Sequence, residues 1–110
     1  MTPIHKETAK ERWSKFSLAE QMGNIGSETD RAIMWLKKNN KPYSENAVFR
    51  ALELLDLTIA DERWSKGRKE LTRAREIICD VFLGDNEYHI PMEWIQKYFF
   101  QFALVARKGK

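Results

Sequence analysis

The chain has 110 residues, of which 43% are apolar and 32% charged, with a formal net charge of +3. That length supports one compact domain with a real core, and no apolar run approaches the ~18 residues a membrane span needs. Five glycines and three prolines are too few for a many-turned sandwich or barrel. The single cysteine, Cys79, permits no internal disulfide, and the N-terminal stretch shows no apolar signal region. A reducing, cytoplasmic setting without a membrane partner is therefore the expectation. Residues 1–110 read as a single helical domain, with a loose end over 1–7 and a basic tail over 107–110.

Ala9, Trp13 and Phe16 recur at i, i+4 and i+7 and predict a short N-terminal amphipathic helix. The first long helix is expected from Leu18 to Asn39. Ser17 and Glu20 fit the S-x-x-E capping box, in which each side chain takes the other's orphan backbone N–H. Leu18, Met22, Ile25, Ala32, Ile33 and Leu36 form its inner stripe. Gly23 and Gly26 fall inside it, each at a cost of up to ~1 kcal/mol against alanine, which suits close approach of a neighbouring backbone. Asn39, Asn40 and Pro42 then end the helix.

A second helix is predicted over Glu45–Ala60, capped by Ser44, with Val48, Ala51, Leu52, Leu55 and Ile59 inward. A third is predicted over Lys66–Leu83, capped by Ser65 and stopped by Gly84 at C′. A fourth starts with Pro91 at N1 and runs to Arg107, with Ile95, Tyr98, Phe99 and Phe102 inward. Short connections favour antiparallel neighbours. The expected fold is all-α, an antiparallel up-down four-helix bundle with a short extra N-terminal helix. The pentapeptide Glu-Arg-Trp-Ser-Lys occurs at 11–15 and again at 62–66. Its flanks do not match, which points to coincidence or to two similar helix-entry sites rather than a duplication.

Some apolar residues lie off the inner stripes: Met34, Leu57, Phe100 and Leu104. Helices apolar on two sides usually bury both, so these residues are candidates for self-association or a partner interface. The competing reading is a wide core covered by the N-terminal segment. Basic residues crowd the start of the third helix, including Arg63, Lys66, Arg68, Lys69, Arg73 and Arg75, and Arg107 and Lys108 begin a basic tail. Arg68 and Arg75 are seven apart and share an edge that suits a run of phosphates. The competing reading is a solvated face interspersed with Glu70, Glu76 and Asp80. Asp85 and Glu87, in the loop before the fourth helix, form an acidic patch that suits head-to-tail contact with the basic region.

Enzymatic signatures are sparse. The two histidines, His5 and His89, lack the E-x-x-H pairing of a di-metal bundle. Cysteine and histidine are too few for a structural zinc site, and the glycines form no phosphate loop. No cofactor is expected, and Cys79 reads as an inert thiol beside the core.

The strings Phe16–Glu28, Ala51–Asp61 and Gly84–Tyr88 resemble those of small prokaryotic all-helical proteins, a likeness that spans about Trp13 to Arg107 and implies no particular activity. In architecture and charge the chain is similar to the accessory variability protein of diversity-generating retroelements, a small basic four-helix protein. That resemblance implies self-assembly and binding of a reverse transcriptase and nucleic acid. A weaker similarity links it to the HEPN helical RNases. Their pattern separates an arginine from a histidine by four to six intervening residues, and here Phe82, Leu83 and Gly84 stand at those positions before His89.

The expected function is a non-enzymatic helical module that forms a homo-oligomer and binds a protein or nucleoprotein partner. Arg63, Lys66, Arg68, Lys69, Arg75, Arg107 and Lys108 would touch nucleic acid. The alternatives are a divergent HEPN-like RNA-processing enzyme or toxin using His89 and Glu87, and a purely protein–protein adaptor.

Overall fold

The computed structural model describes residues 8–108. The loose end expected over 1–7, with His5, and the last two residues of the expected tail lie outside the described residues. The chain is all-helical, with five α-helices and no strand among the described residues. They are α1 (Ala9–Trp13), α2 (Leu18–Lys37), α3 (Lys41–Ile59), α4 (Arg68–Ile78) and α5 (Met92–Lys108).

Local chemistry sets most helix boundaries. Thr8 and Glu11 form a capping box on α1, and Ser17 and Glu20 form the predicted one on α2. Asn39 takes a left-handed φ of 58° and turns the chain sharply. Asn40 then caps α3 by accepting the Tyr43 amide at 3.1 Å. The helix thus starts earlier than predicted, because Pro42 sits in its first turn, where no N–H is needed. Ser44 is not the cap: its hydroxyl donates to the Ala32 carbonyl of α2 at 2.8 Å and ties the two helices together.

The predicted third helix is three pieces. Asp61, not Ser65, caps a 3₁₀ segment over Glu62–Gly67, which Trp64 interrupts with a non-helical φ of −108°. The α-helix begins only at Arg68 and loosens into a π-turn over Cys79–Leu83. Gly84 is extended (φ −111°, ψ −154°) rather than left-handed, so no glycine C′ stop forms. Pro91 precedes α5 and accepts the Trp94 amide through its carbonyl.

Helix α2 is the centre of the molecule, packed along α3 and α5. The Ser44–Ala32 bond and the Arg50–Glu28 ion pair fix α3 antiparallel to α2. On the α5 side α2 presents Gly23 and Gly26. A Cβ added at Gly26 would stand 2.5 Å from the Phe99 Cβ, whereas one at Gly23 would reach the Ala103 Cα at 3.5 Å. The close approach expected of these glycines is therefore realised, most tightly at Gly26. The pairings of 26 with 99 and 23 with 103 make α5 antiparallel to α2 as well. The faces of α2 that meet α3 and α5 are roughly opposite at 3.6 residues per turn, and α3 and α5 scarcely touch. Helix α4 packs mainly on α3. Met22, Ile25, Val48, Leu55, Ile78 and Ile95 are fully buried at the centre. At roughly 1.5–3 kcal/mol per buried large aliphatic side chain, this cluster is the main source of stability.

Candidate functional site

The two tryptophans of the repeated pentapeptide converge on one buried polar group. Gln21 is fully buried in the first turn of α2. Its amide nitrogen donates to the Trp13 carbonyl at 2.9 Å and to Asp61 Oδ2 at 3.2 Å. Its amide oxygen accepts the Trp64 indole N–H at 3.0 Å. The Trp13 indole donates to the buried Thr58 hydroxyl at 2.8 Å. This network clamps α1 and the 3₁₀ segment to the ends of α2 and α3, and it explains both copies of the pentapeptide by packing. The other two tryptophans also have aromatic partners: Trp35 meets Tyr43 edge-on at 4.9 Å, and Trp94 stacks on Tyr98 at 5.4 Å.

The basic residues divide into two sets. Arg63 belongs to the clamp. Its guanidinium donates to both Asp61 oxygens, at 3.0 and 2.6 Å, and to the Phe16 carbonyl at 2.9 Å. It also lies 4.4 Å from the Trp64 ring centroid. Hydrogen bonding from Arg63 holds the Asp61 carboxyl well below the usual range, at about 2. Arg68 donates to the Ile59 carbonyl at 2.9 Å, satisfying an orphan acceptor at the end of α3. Arg75 donates to Asp56 Oδ1 at 2.6 Å and stitches α4 to α3. These three arginines are engaged within the chain.

Lys66, Lys69 and Arg73 are exposed and form no ion pair among the described residues. They follow one another at i, i+3 and i+7. Arg107 and Lys108 are exposed in the last turn of α5. A shallow depression of about 230 Å³, lined in part by Lys66, Glu70, Tyr98 and Phe102, sets the start of α4 beside the second half of α5. The fold therefore brings Lys66 and the basic end of α5 to the same end of the molecule. Tyr98 donates to Glu70 at 3.3 Å, and burial, then the Glu70 charge, push its phenol far above the usual value.

The off-stripe apolar residues also divide. Phe100 is 54% exposed, Leu104 42% and Met34 39%. Leu57 is the exception among the predicted interface residues. It is half-buried and packed on the core because α1 folds over the end of α3. Leu57 lines an apolar groove of about 520 Å³ with Trp13, Phe16 and Leu54. Phe49, 49% exposed on the outer face of α3, joins these exposed apolar residues beyond the four expected from the sequence. Its signal was present: a phenylalanine off the inner stripe, with Glu45 and Glu53 one turn to either side.

The acidic loop is internally braced. Asp80 accepts the Glu87 and Tyr88 amides at 2.8 and 3.1 Å, and Asn86 exchanges two side-chain bonds with Ile90. Asp85 and Glu87 remain exposed. His89 is exposed at a left-handed φ of 54°. Among the described residues no group of three or more histidine, cysteine, aspartate or glutamate side chains could hold a metal ion. Among the same residues no buried side-chain nitrogen or oxygen lacks a partner and no helix is long and apolar enough to cross a membrane.

No family model matches the chain, and no curated protein or solved structure matches it.

Proposed function

We propose that this chain is a non-enzymatic helical module of the cytoplasm that forms a homo-oligomer and binds a protein or nucleoprotein partner. In this reading α2 to α5 form an antiparallel four-helix bundle with α1 as an added short element. The observation that carries the reading is the outer face of α5, where Phe100 and Leu104 stay exposed although the opposite face supplies Ile95 and Phe99 to the core. Single exposed apolar residues are common. Two at i and i+4 on one face make a patch that association would cover.

Nucleic-acid contact, where it occurs, falls to Lys66, Lys69 and Arg73, with Arg107 and Lys108 at the same end. Arg63, Arg68 and Arg75 would have to abandon their intramolecular acceptors to take part. With Glu70 and Glu76 close by, this surface suits weak, salt-sensitive phosphate contact supporting a protein interface.

The test is size-exclusion chromatography with light scattering, with and without a mixed RNA and DNA pool at low and moderate salt. The reading expects an oligomer that shifts with nucleic acid and releases it as salt rises. A monomer indifferent to nucleic acid overturns it.

A further inference from the structure

Two outer stripes lie on opposite flanks of α2, and their chemistries are complementary. On α3, Glu45, Phe49 and Glu53 follow one another at four-residue steps, so they share the face turned away from the core. Neither glutamate forms an ion pair among the described residues. The next acid on this face, Asp56, is held by Arg75 at 2.6 Å. On α5, the outward face reads Lys97, Phe100, Leu104 and then Arg107, again with no ion pair among the described residues. One stripe is a phenylalanine between two acids. The other is a phenylalanine and a leucine between two bases.

The geometry points to head-to-tail self-association, in which the acidic outer stripe of α3 in one copy docks on the basic-ended outer stripe of α5 in the next. This rests on the self-association reading above and names its two surfaces.

The dimensions agree. Glu45 and Glu53 are separated by roughly 12 Å along the helix, and Lys97 and Arg107 by roughly 15 Å. Long basic side chains close such a difference. Phe100 and Leu104, roughly 6 Å apart along the axis, leave a gap between them for the Phe49 ring. Burying the three apolar side chains supplies the attraction, and the flanking charges supply register.

Symmetric pairings are worse. An α5–α5 contact sets Lys97 and Arg107 among their own like charges, with Glu93 the one acid on the face. An α3–α3 contact opposes Glu45 and Glu53 with themselves. Because α3 and α5 flank α2 on opposite sides, the contact is heterologous, and copies add in a ring or an open chain rather than closing as a two-fold dimer.

Charge reversal tests this directly. One variant carries Glu45→Lys and Glu53→Lys, making both stripes basic. The other carries Lys97→Glu and Arg107→Glu, making both acidic. All four positions are at the surface or half-buried, and circular dichroism melts check that each variant folds. Sedimentation velocity of the wild-type chain should show association that weakens with added salt. Each variant alone should associate at least ~10-fold more weakly, since like charges then face each other. Mixing the two folded variants should restore association, because each basic stripe again meets an acidic one.

If the wild type associates but neither variant changes it, the proposed surfaces are wrong while the self-association reading stands. If the α3 variant alone associates like the wild type and only the α5 variant fails, the contact is a symmetric α5 pairing and the proposal is overturned. A wild-type chain that stays monomeric at every concentration overturns both.

Discussion

Gly23 and Gly26 lie one turn apart on the same face of α2, yet alanine at each should move stability in opposite directions. In an α-helix interior, alanine is favoured over glycine by about 0.8–1.0 kcal/mol, so the backbone rewards both substitutions equally. The neighbours decide the sign. At Gly23 the new methyl would meet the Ala103 Cα at 3.5 Å, an ordinary van der Waals contact. Gly23→Ala should therefore keep most of the helix gain and stabilise the protein by about 0.5–1 kcal/mol. At Gly26 it would stand 2.5 Å from the Phe99 Cβ. That atom is fixed to the α5 backbone and cannot swing aside, so α5 must retreat by roughly 1 Å to restore normal contact. Such overpacking typically costs about 1–3 kcal/mol, and retreat loosens the packing of Ile95 and Phe99 on α2. Net of the helix gain, and with that packing loosened, Gly26→Ala should destabilise by up to about 2 kcal/mol. For a domain of this size each 1 kcal/mol moves Tm by roughly 4–8 °C. Paired thermal and urea melts followed by circular dichroism would show one Tm above the wild type and one below. A Gly26→Ala protein as stable as Gly23→Ala would refute the close approach of α2 and α5.

Replacing Gln21 by leucine should cost about 2–4 kcal/mol, because the Trp64 indole N–H and the Trp13 carbonyl lose their shared partner; urea melts measure it, and a loss below ~0.5 kcal/mol would deny the clamp its role. Asp61 gives a pH signature. Its folded pKa is depressed to about 2, so its contribution is fully present above the ordinary carboxyl value and is lost as pH falls from about 5 towards 2. Solvent screening reduces that contribution to roughly 1 kcal/mol. Asp61→Asn should remove this part of the acid sensitivity in melts across that range, and an unchanged pH profile would count against the Arg63–Asp61 pair. Lys66→Glu with Lys69→Glu should weaken any nucleic-acid binding and lower its salt dependence, whereas Arg75→Ala should cost at most ~1 kcal/mol of stability and leave binding unaltered. Gel-shift titrations at several salt concentrations separate the two, and the reverse pattern would restore Arg75 to the contact surface.

The helical class was legible because the stripes of α2, α3 and α5 repeat at helical spacing and carry local start signals. Ser17 with Glu20 fixed one boundary outright, since a capping box is read within four residues. The third predicted helix was the hardest segment. Its 3₁₀ entry follows from Asp61 and the Gln21–Trp64 bond, a contact across 43 positions that no local pattern encodes. The arginines show the same limit. Charge and spacing place Arg68 and Arg75 on a plausible phosphate edge, but their acceptors, the Ile59 carbonyl and Asp56, come from the preceding helix. The exposure of Phe100 and Leu104 was readable because α5 needs only one buried stripe. Leu57 is covered by α1, a contact that its own helical pattern does not encode, and Phe49 as a single off-stripe residue carries little weight until the acids one turn away are read with it.

We propose that the outer faces of this chain hold copies of it together. Sedimentation velocity across a wide concentration series, at low and at moderate salt, tests it most directly. Association through these faces gives species larger than the 13.0 kDa chain that grow in with concentration and recede with salt. A single boundary at the monomer mass throughout would contradict it.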